Sequence, residues 1–347
     1  MRISKFLLLV MPIVLLSCKE NKSPLLDELN NKYNLTTSEE LKDPVYASQI
    51  ESFYDNGIEG FFNGQSDIKI YYKIFKQDKT DKAILISSGR TEAAIKYKEL
   101  IYDLFNNGYS IYIHDHRGQG LSQRLVENPD MGYIDNFQYY VDDMKYFYDN
   151  YIQDSTYTKI YLLAHSMGGA IGMTYLEQNP KDFNAAAFSS PMFGLKPTIC
   201  SIVKLVDKEE PKFAVGQSEY NDSNLEFENN TLTGSIIRFN RMIKAYQEVP
   251  KARLGGATYS WLHHSCKQFG YLFDNIDKIQ TPFVLFSAEN EDIVNPAAHK
   301  RFFNVAKKIG KECEYYQIKD AEHELLIEKD VLRIQTLNKI IDFYSNN

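Results

Sequence analysis

Between Ile68 and Phe188, short apolar runs alternate with stretches of helical spacing, and this restricts the chain to few architectures. Ile68–Phe75, Ala83–Ser87, Tyr109–Ile113, Lys159–Leu163 and Ala185–Phe188 read as strands, short and bounded by polar or glycine-containing turns. Between them, Ala93–Phe105 has apolar residues at helical spacing (Ala94, Tyr97, Leu100, Ile101, Leu104) and stops at Asn107-Gly108. Asp135–Tyr151 and Gly168–Gln178 also read as helices, the second halted before Pro180. The pattern resumes with Thr281–Ser287, Ala297–Ile309, Glu314–Ile318 and Leu325–Tyr344. Strands alternating with helices predict an α/β fold whose mainly parallel sheet is covered on both faces. Ligands of such sheets bind at the carboxyl ends of the strands.

One interval breaks the rhythm. From Phe188 to Thr281 is about ninety residues, where a βαβ unit takes about 30 in all. Residues 191–273 therefore read as an inserted helical cap, and 57–190 with 274–347 as the core. Within the insertion, Ser235–Tyr246 carries a wide apolar set. Ile236, Phe239, Ile243 and Trp261 are candidates for the wall of an apolar channel.

The chemistry sits at the turns. Ala164-His165-Ser166-Met167-Gly168-Gly169 joins a strand to a helix and fits the strained G-x-S-x-G turn, with Ala in the first position. Such a turn lifts a serine hydroxyl above the sheet and aims the next N–H at the same point. Ser166 is the candidate nucleophile and Met167 N–H one oxyanion donor. Ser88-Gly89-Arg90 follows the Ala83–Ser87 strand, where the second donor belongs, and Arg90 N–H is the candidate. The Arg90 side chain reads as a surface ion pair. His323, after the Glu314–Ile318 strand and at the start of the last helix, is the candidate general base. Glu289-Asn290-Glu291-Asp292 follows the Thr281–Ser287 strand, and one carboxylate there should orient the base. Chemistry alone does not choose among them.

Other features carry less. His114-Asp115-His116 and His263-His264 come without a third ligand at metal spacing, so no metal or cofactor is expected, and His114–His116 reads as a structural turn. Cys200, Cys266 and Cys313 match no zinc pattern and read as buried or incidental thiols. The 347-residue chain carries a net charge of −7 and no basic run, which speaks against nucleic-acid binding.

The N-terminus is distinct. Arg2 and Lys5 precede an apolar stretch from Phe6 to Leu16. It is shorter than the ~20 residues a membrane span needs and fits a signal peptide over residues 1–17. Leu15-Leu16-Ser17-Cys18 resembles a bacterial lipobox, which makes Cys18 the lipidated first residue and residues 18–56 a tether with short helices. Ser23 and Ser38 are the expected helix caps there. Two or more acyl chains on Cys18 would hold the protein at the membrane of a bacterial cell envelope.

Several of these residues together carry a family likeness. Asp115-His116-Arg117-Gly118-Gln119-Gly120-Leu121-Ser122, Ala164–Gly169, Ser190-Pro191-Met192-Phe193-Gly194 and His323-Glu324-Leu325-Leu326 resemble the bacterial lysophospholipases related to monoacylglycerol lipases. Gly256-Ala257-Thr258-Tyr259-Ser260-Trp261 resembles their cap, and Asn136-Phe137 with Tyr140-Val141-Asp142-Asp143 matches too. The resemblance runs from about Gly57 to the C-terminus. It implies an α/β-hydrolase fold and cofactor-free hydrolysis of a single-chain lipid ester. It also places the orienting acid at Glu291, with Asp292 beside it. A general esterase or peptidase of the same fold is the alternative, and a non-catalytic envelope-binding lipoprotein is a reading of another class.

Overall fold

A computed structural model describes residues 30–153, 156–204, 206, 211–221 and 226–347. The signal-peptide stretch, Cys18 and Ser23 lie outside the described residues. The strands are β1 (Ile58–Asn63), β2 (Lys69–Phe75), β3 (Lys82–Ser87), β4 (Ser110–His114), β5 (Lys159–His165), β6 (Ala185–Ser189), β7 (Phe283–Ala288) and β8 (Cys313–Ile318). They form one sheet in the order β1-β2-β4-β3-β5-β6-β7-β8. From β4 to β8 all neighbours are parallel; β2 runs antiparallel to both β1 and β4.

The central strands are apolar throughout because both faces are covered. In β3, Ala83 and Leu85 face one core cluster while Ile84 and Ile86 face the other. Helices α1 (Ser38–Lys42), α2 (Pro44–Asp55), α3 (Lys98–Asn106), α4 (Gln138–Phe147) and α5 (Met167–Gln178) precede the insertion. The insertion carries α6 (Pro197–Val203), α7 (Ile236–Glu248) and α8 (Tyr259–Asp274), and α9 (Pro296–Lys308) and α10 (Asp330–Asn346) follow. Met144 of α4, Met167 and Ile171 of α5, and Phe302 of α9 fill the first cluster. Leu100 of α3 and Ile334 and Leu337 of α10 fill the second. Each such buried side chain contributes about 1.5–3 kcal/mol by leaving water.

The structure departs from the sequence reading at several points. β1 was not expected: its Ile58 and Phe61 lie more than half exposed, so no inward-outward alternation marks it. The last helix begins at Asp330, not Leu325, because Leu325–Ile327 forms a buried 3-10 turn. The expected helix from Ala93 starts as a 3-10 turn over Ala94–Tyr97. Thr37, one residue before Ser38, caps α1 through a reciprocal box with Glu40. Ser38 instead donates to Asp330.

Cys200 and Cys266 are not incidental thiols: a disulfide joins α6 to α8. These helices pack side by side, and a 66-residue separation in sequence gives no hint of it. Cys313 is free and buried. A buried network ties α7 to the core, with Arg238 bonding Glu99 at 2.9 Å and Asp330 at 2.7 Å. Arg333 completes it against Asp103 at 2.7 Å. Among the described residues, no helix is long and apolar enough to cross a membrane.

Candidate active site

Four loops at the carboxyl ends of β3, β5, β7 and β8 converge. After β5, Ser166 adopts φ 50°, a left-handed conformation that strains a residue with a side chain. Three backbone bonds hold it there: its N–H donates to Ser189 O, and its carbonyl accepts from Gly169 N–H and Met192 N–H. A Cβ at Gly168 would lie 2.1 Å from Ser87 O, so only glycine lets α5 close against β3.

His323 lies in the loop after β8. Its Nε2 is 3.0 Å from Ser166 Oγ. Its Nδ1 is 2.9 and 2.8 Å from the two Glu291 carboxylate oxygens. Glu291 also accepts from Ile293 N–H and Val294 N–H, which fixes the carboxylate from behind. Burial pushes the Glu291 carboxyl up, but His323 and these two N–H groups outweigh it and hold it below the ordinary value. The choice the sequence left open is thus resolved in space: Glu291 faces the imidazole and Asp292 is exposed. His323 Nδ1–H donates to the acid, leaving Nε2 to accept from the serine hydroxyl.

Met167 N–H opens α5, where a helix leaves its first donors unpaired. Arg90 N–H lies in the loop after β3, and among the described residues no backbone acceptor takes it. Gln119 braces this loop by donating to Gly89 O and Glu92 O, both at 2.8 Å. Asp115 accepts from Ala94 N–H and Leu121 N–H at 2.7 Å, so the turn after β4 is structural. Its flanking His114 and His116 are buried, and burial holds His116 down to about 4. Among the described residues, the Arg90 side chain forms no surface ion pair. It stacks on Trp261 at 5.0 Å and donates to Gly255 O.

Ser166 and His323 open onto a cavity of about 800 Å³ roofed by the insertion. Its wall includes Leu195, Ile199, Val203, Ile243, Trp261 and Leu262. Of the four expected wall residues, Ile243 and Trp261 line it. Phe239 turns into the core, and Ile236 faces solvent.

A set of buried charges beside the site was not foreseen. His165, Glu324, Glu92 and Lys96 form linked charge pairs next to Ser166 and His323, and Glu324, Glu92 and Lys96 reach the wall of the same cavity. The signal was available: ionisable residues adjoin both Ser166 and His323, and Glu92 and Lys96 stand four apart after the candidate oxyanion loop.

A family model described as serine aminopeptidase, S33, matches residues 78–330. Lysophospholipase L2 of Escherichia coli strain K12 is 35% identical over 309 residues, covering 86% of this chain and 90% of that protein. The monoglyceride lipase of Mus musculus is 30% identical over 140 residues, 40% of this chain and 44% of that protein. Among solved structures, a soluble variant of monoglyceride lipase from Saccharomyces cerevisiae superposes with a TM-score of 0.67 at 18% identity, covering 84% of this chain and 94% of that one. The parallel sheet, the strained serine turn and these matches place the chain in the serine aminopeptidase S33 family of α/β-hydrolases.

Proposed function

We propose that the protein is a serine hydrolase that cleaves the carboxylic ester of a single-chain lipid, a lysophospholipid or a monoacylglycerol. The observation that carries this is a hydrogen-bonded Ser166–His323–Glu291 chain at the end of a large cavity with an apolar wall. Ser166 Oγ attacks the ester carbonyl as His323 Nε2 takes its proton. Glu291 holds the tautomer and stabilises the imidazolium without itself taking the proton. Arg90 N–H and Met167 N–H receive the oxyanion, and loss of one such donor costs about 10²–10³ in rate. The imidazolium then protonates the leaving alcohol. Water, deprotonated by His323, attacks the acyl-enzyme and releases the fatty acid. The similarity to a lysophospholipase over most of both chains supports the ester-lipid reading.

The same reading puts the mature chain at the bacterial cell envelope, anchored through Cys18. The apolar stretch ending in Leu15-Leu16-Ser17-Cys18 supports this. So does the Cys200–Cys266 disulfide, since such bonds persist in oxidising compartments.

A substrate panel tests the proposal. Purified protein is expected to release fatty acid from lysophosphatidylethanolamine or monooleoylglycerol, and Ser166→Ala to release none. Turnover of amino-acid anilides with both lipid esters untouched would move the assignment to a peptidase.

A further inference from the structure

His165 immediately precedes Ser166 and is buried. Its Nδ1 lies 3.0 Å from Ser189 O, a carbonyl that only accepts, so Nδ1 carries a proton. Its Nε2 lies 3.1 Å from Glu324 Oε2 and 3.7 Å from Glu92 Oε1. A lone pair on Nε2 would face two carboxylates, so their field favours a proton on this nitrogen as well. Burial opposes that charge, but Glu324 and Glu92 outweigh it and raise the affinity of His165 for its proton. Lys96 bridges the same two carboxylates. A protonated His165 together with Lys96 sets two cations against the two carboxylates of one buried cluster. Glu92, His165 and Glu324 have the residue types of a metal site, but the Lys96 ammonium supplies the cation that bridges the carboxylates.

The cluster links three loops of the site. Glu92 accepts from Gly89 N–H next to Arg90. His165 adjoins the nucleophile, and Glu324 adjoins the base. The His165 ring lies 4.9 Å from the His323 ring, centroid to centroid.

We propose that His165 and Glu324 are positioning residues that set the proton affinity of His323, the His165 cation cancelling the Glu324 charge beside the base. This rests on the reading of His323 as general base. The groups facing His323 are Glu291, Ser166, His165 and Glu324, with His299 on the side of the acid loop. Burial keeps His299 neutral between Ser287 Oγ and Pro191 O, so it brings no charge. Asp292 is exposed and half-buried Glu322 bonds Asn290, so these residues of the acid and base loops turn away from His323. His165 itself faces Glu324, Glu92, Lys96, Ser189 and His323. With His165 removed, the cluster keeps Lys96 against Glu92 and Glu324, and its net negative charge favours the His323 imidazolium. With Glu324 removed, it keeps Lys96 and His165 against Glu92, and its net positive charge disfavours the imidazolium.

The test is the acid limb of the pH dependence of kcat/KM, read on p-nitrophenyl acetate, which needs no acyl channel. His165→Gln keeps a donor for Ser189 O and is expected to move the limb up by about one pH unit or more. Glu324→Gln is expected to move it down by a similar amount. Limbs that both stay in place, or both move the same way, overturn the proposal, because a merely structural role produces no opposite shifts. If neither variant folds, the ¹⁵N resonances of His165 in the wild-type protein decide. Both nitrogens are expected to stay protonated well above the ordinary histidine pKa of about 6.5, and a neutral ring there overturns the proposal. Wild-type turnover of the acetate without turnover of any lysolipid would count against the lipid reading and leave this test intact.

Discussion

Replacing Ile243 by Asp introduces a carboxylate into the apolar wall of the cavity while leaving the catalytic loops untouched. Ile243 projects from α7, whose position is fixed independently by Arg238 against Glu99 and Asp330. Apolar burial contributes about 0.8 kcal/mol per methylene, about a fourfold change in binding for each. A side chain the size of isoleucine covers about three methylenes of a passing acyl chain, so the loss is about 2.4 kcal/mol, or roughly 60-fold in kcat/KM for a long-chain lysophospholipid. An acetate ester does not reach the wall and should change by less than about twofold. The assay compares kcat/KM along a series of p-nitrophenyl esters from acetate to palmitate, with the thermal midpoint measured in parallel. A penalty that grows with chain length and then levels off is the expected result. Equal losses along the series, at an unchanged midpoint, would refute the assignment of this cavity to the acyl chain.

Three other outcomes are expected. Glu291→Gln should lower kcat by about 10⁴ with little change in stability, since it removes the charge that holds the His323 tautomer, whereas Asp292→Asn, a change at an exposed position, should leave esterase kinetics near wild type. Glu177 is buried on α5, and neither carboxyl oxygen has a hydrogen-bond partner among the described residues; burial pushes its carboxyl up to about 9. It is therefore neutral in the fold but ionised in the unfolded chain at neutral pH, so its contribution is full below the ordinary glutamate value of about 4.3 and is lost as pH rises toward 9. Glu177→Gln should remove that loss and gain up to about 5 kcal/mol in urea unfolding at pH 8 but little at pH 4, a difference absent if Glu177 is ionised in the fold. Cys18→Ser should free the protein from the membrane fraction, and unchanged retention would refute the anchor.

Much of this was legible because it is local. The buried strands read as continuous apolar runs, and Gly168 and Gly169 mark the close approach of α5 to β3 and to Pro191 after β6, which no larger residue allows. Ser166 and His323 stand at strand ends, where a parallel sheet gathers its loops. What escaped was set by distant contacts. β1 is an edge strand with its outer face exposed, so it lacks a period. Phe239 and Ile243 lie one helical turn apart, and only the placement of α7 sends one into the core and the other into the cavity. The Cys200–Cys266 bond and the charge cluster around His165 depend on side chains that meet only when the cap and four loops are assembled. The acid loop shows the same limit: adjacent carboxylates differ in role only through the direction each one faces.

The proposed chemistry turns on Ser166 as an activated nucleophile. Wild-type protein incubated with a fluorophosphonate probe, then digested and analysed by mass spectrometry, is predicted to carry a single adduct on the peptide containing Ser166. The adduct should be absent in Ser166→Ala and strongly reduced in His323→Ala. A folded wild-type protein that stays unlabelled, or an adduct on another serine that persists in Ser166→Ala, would contradict it.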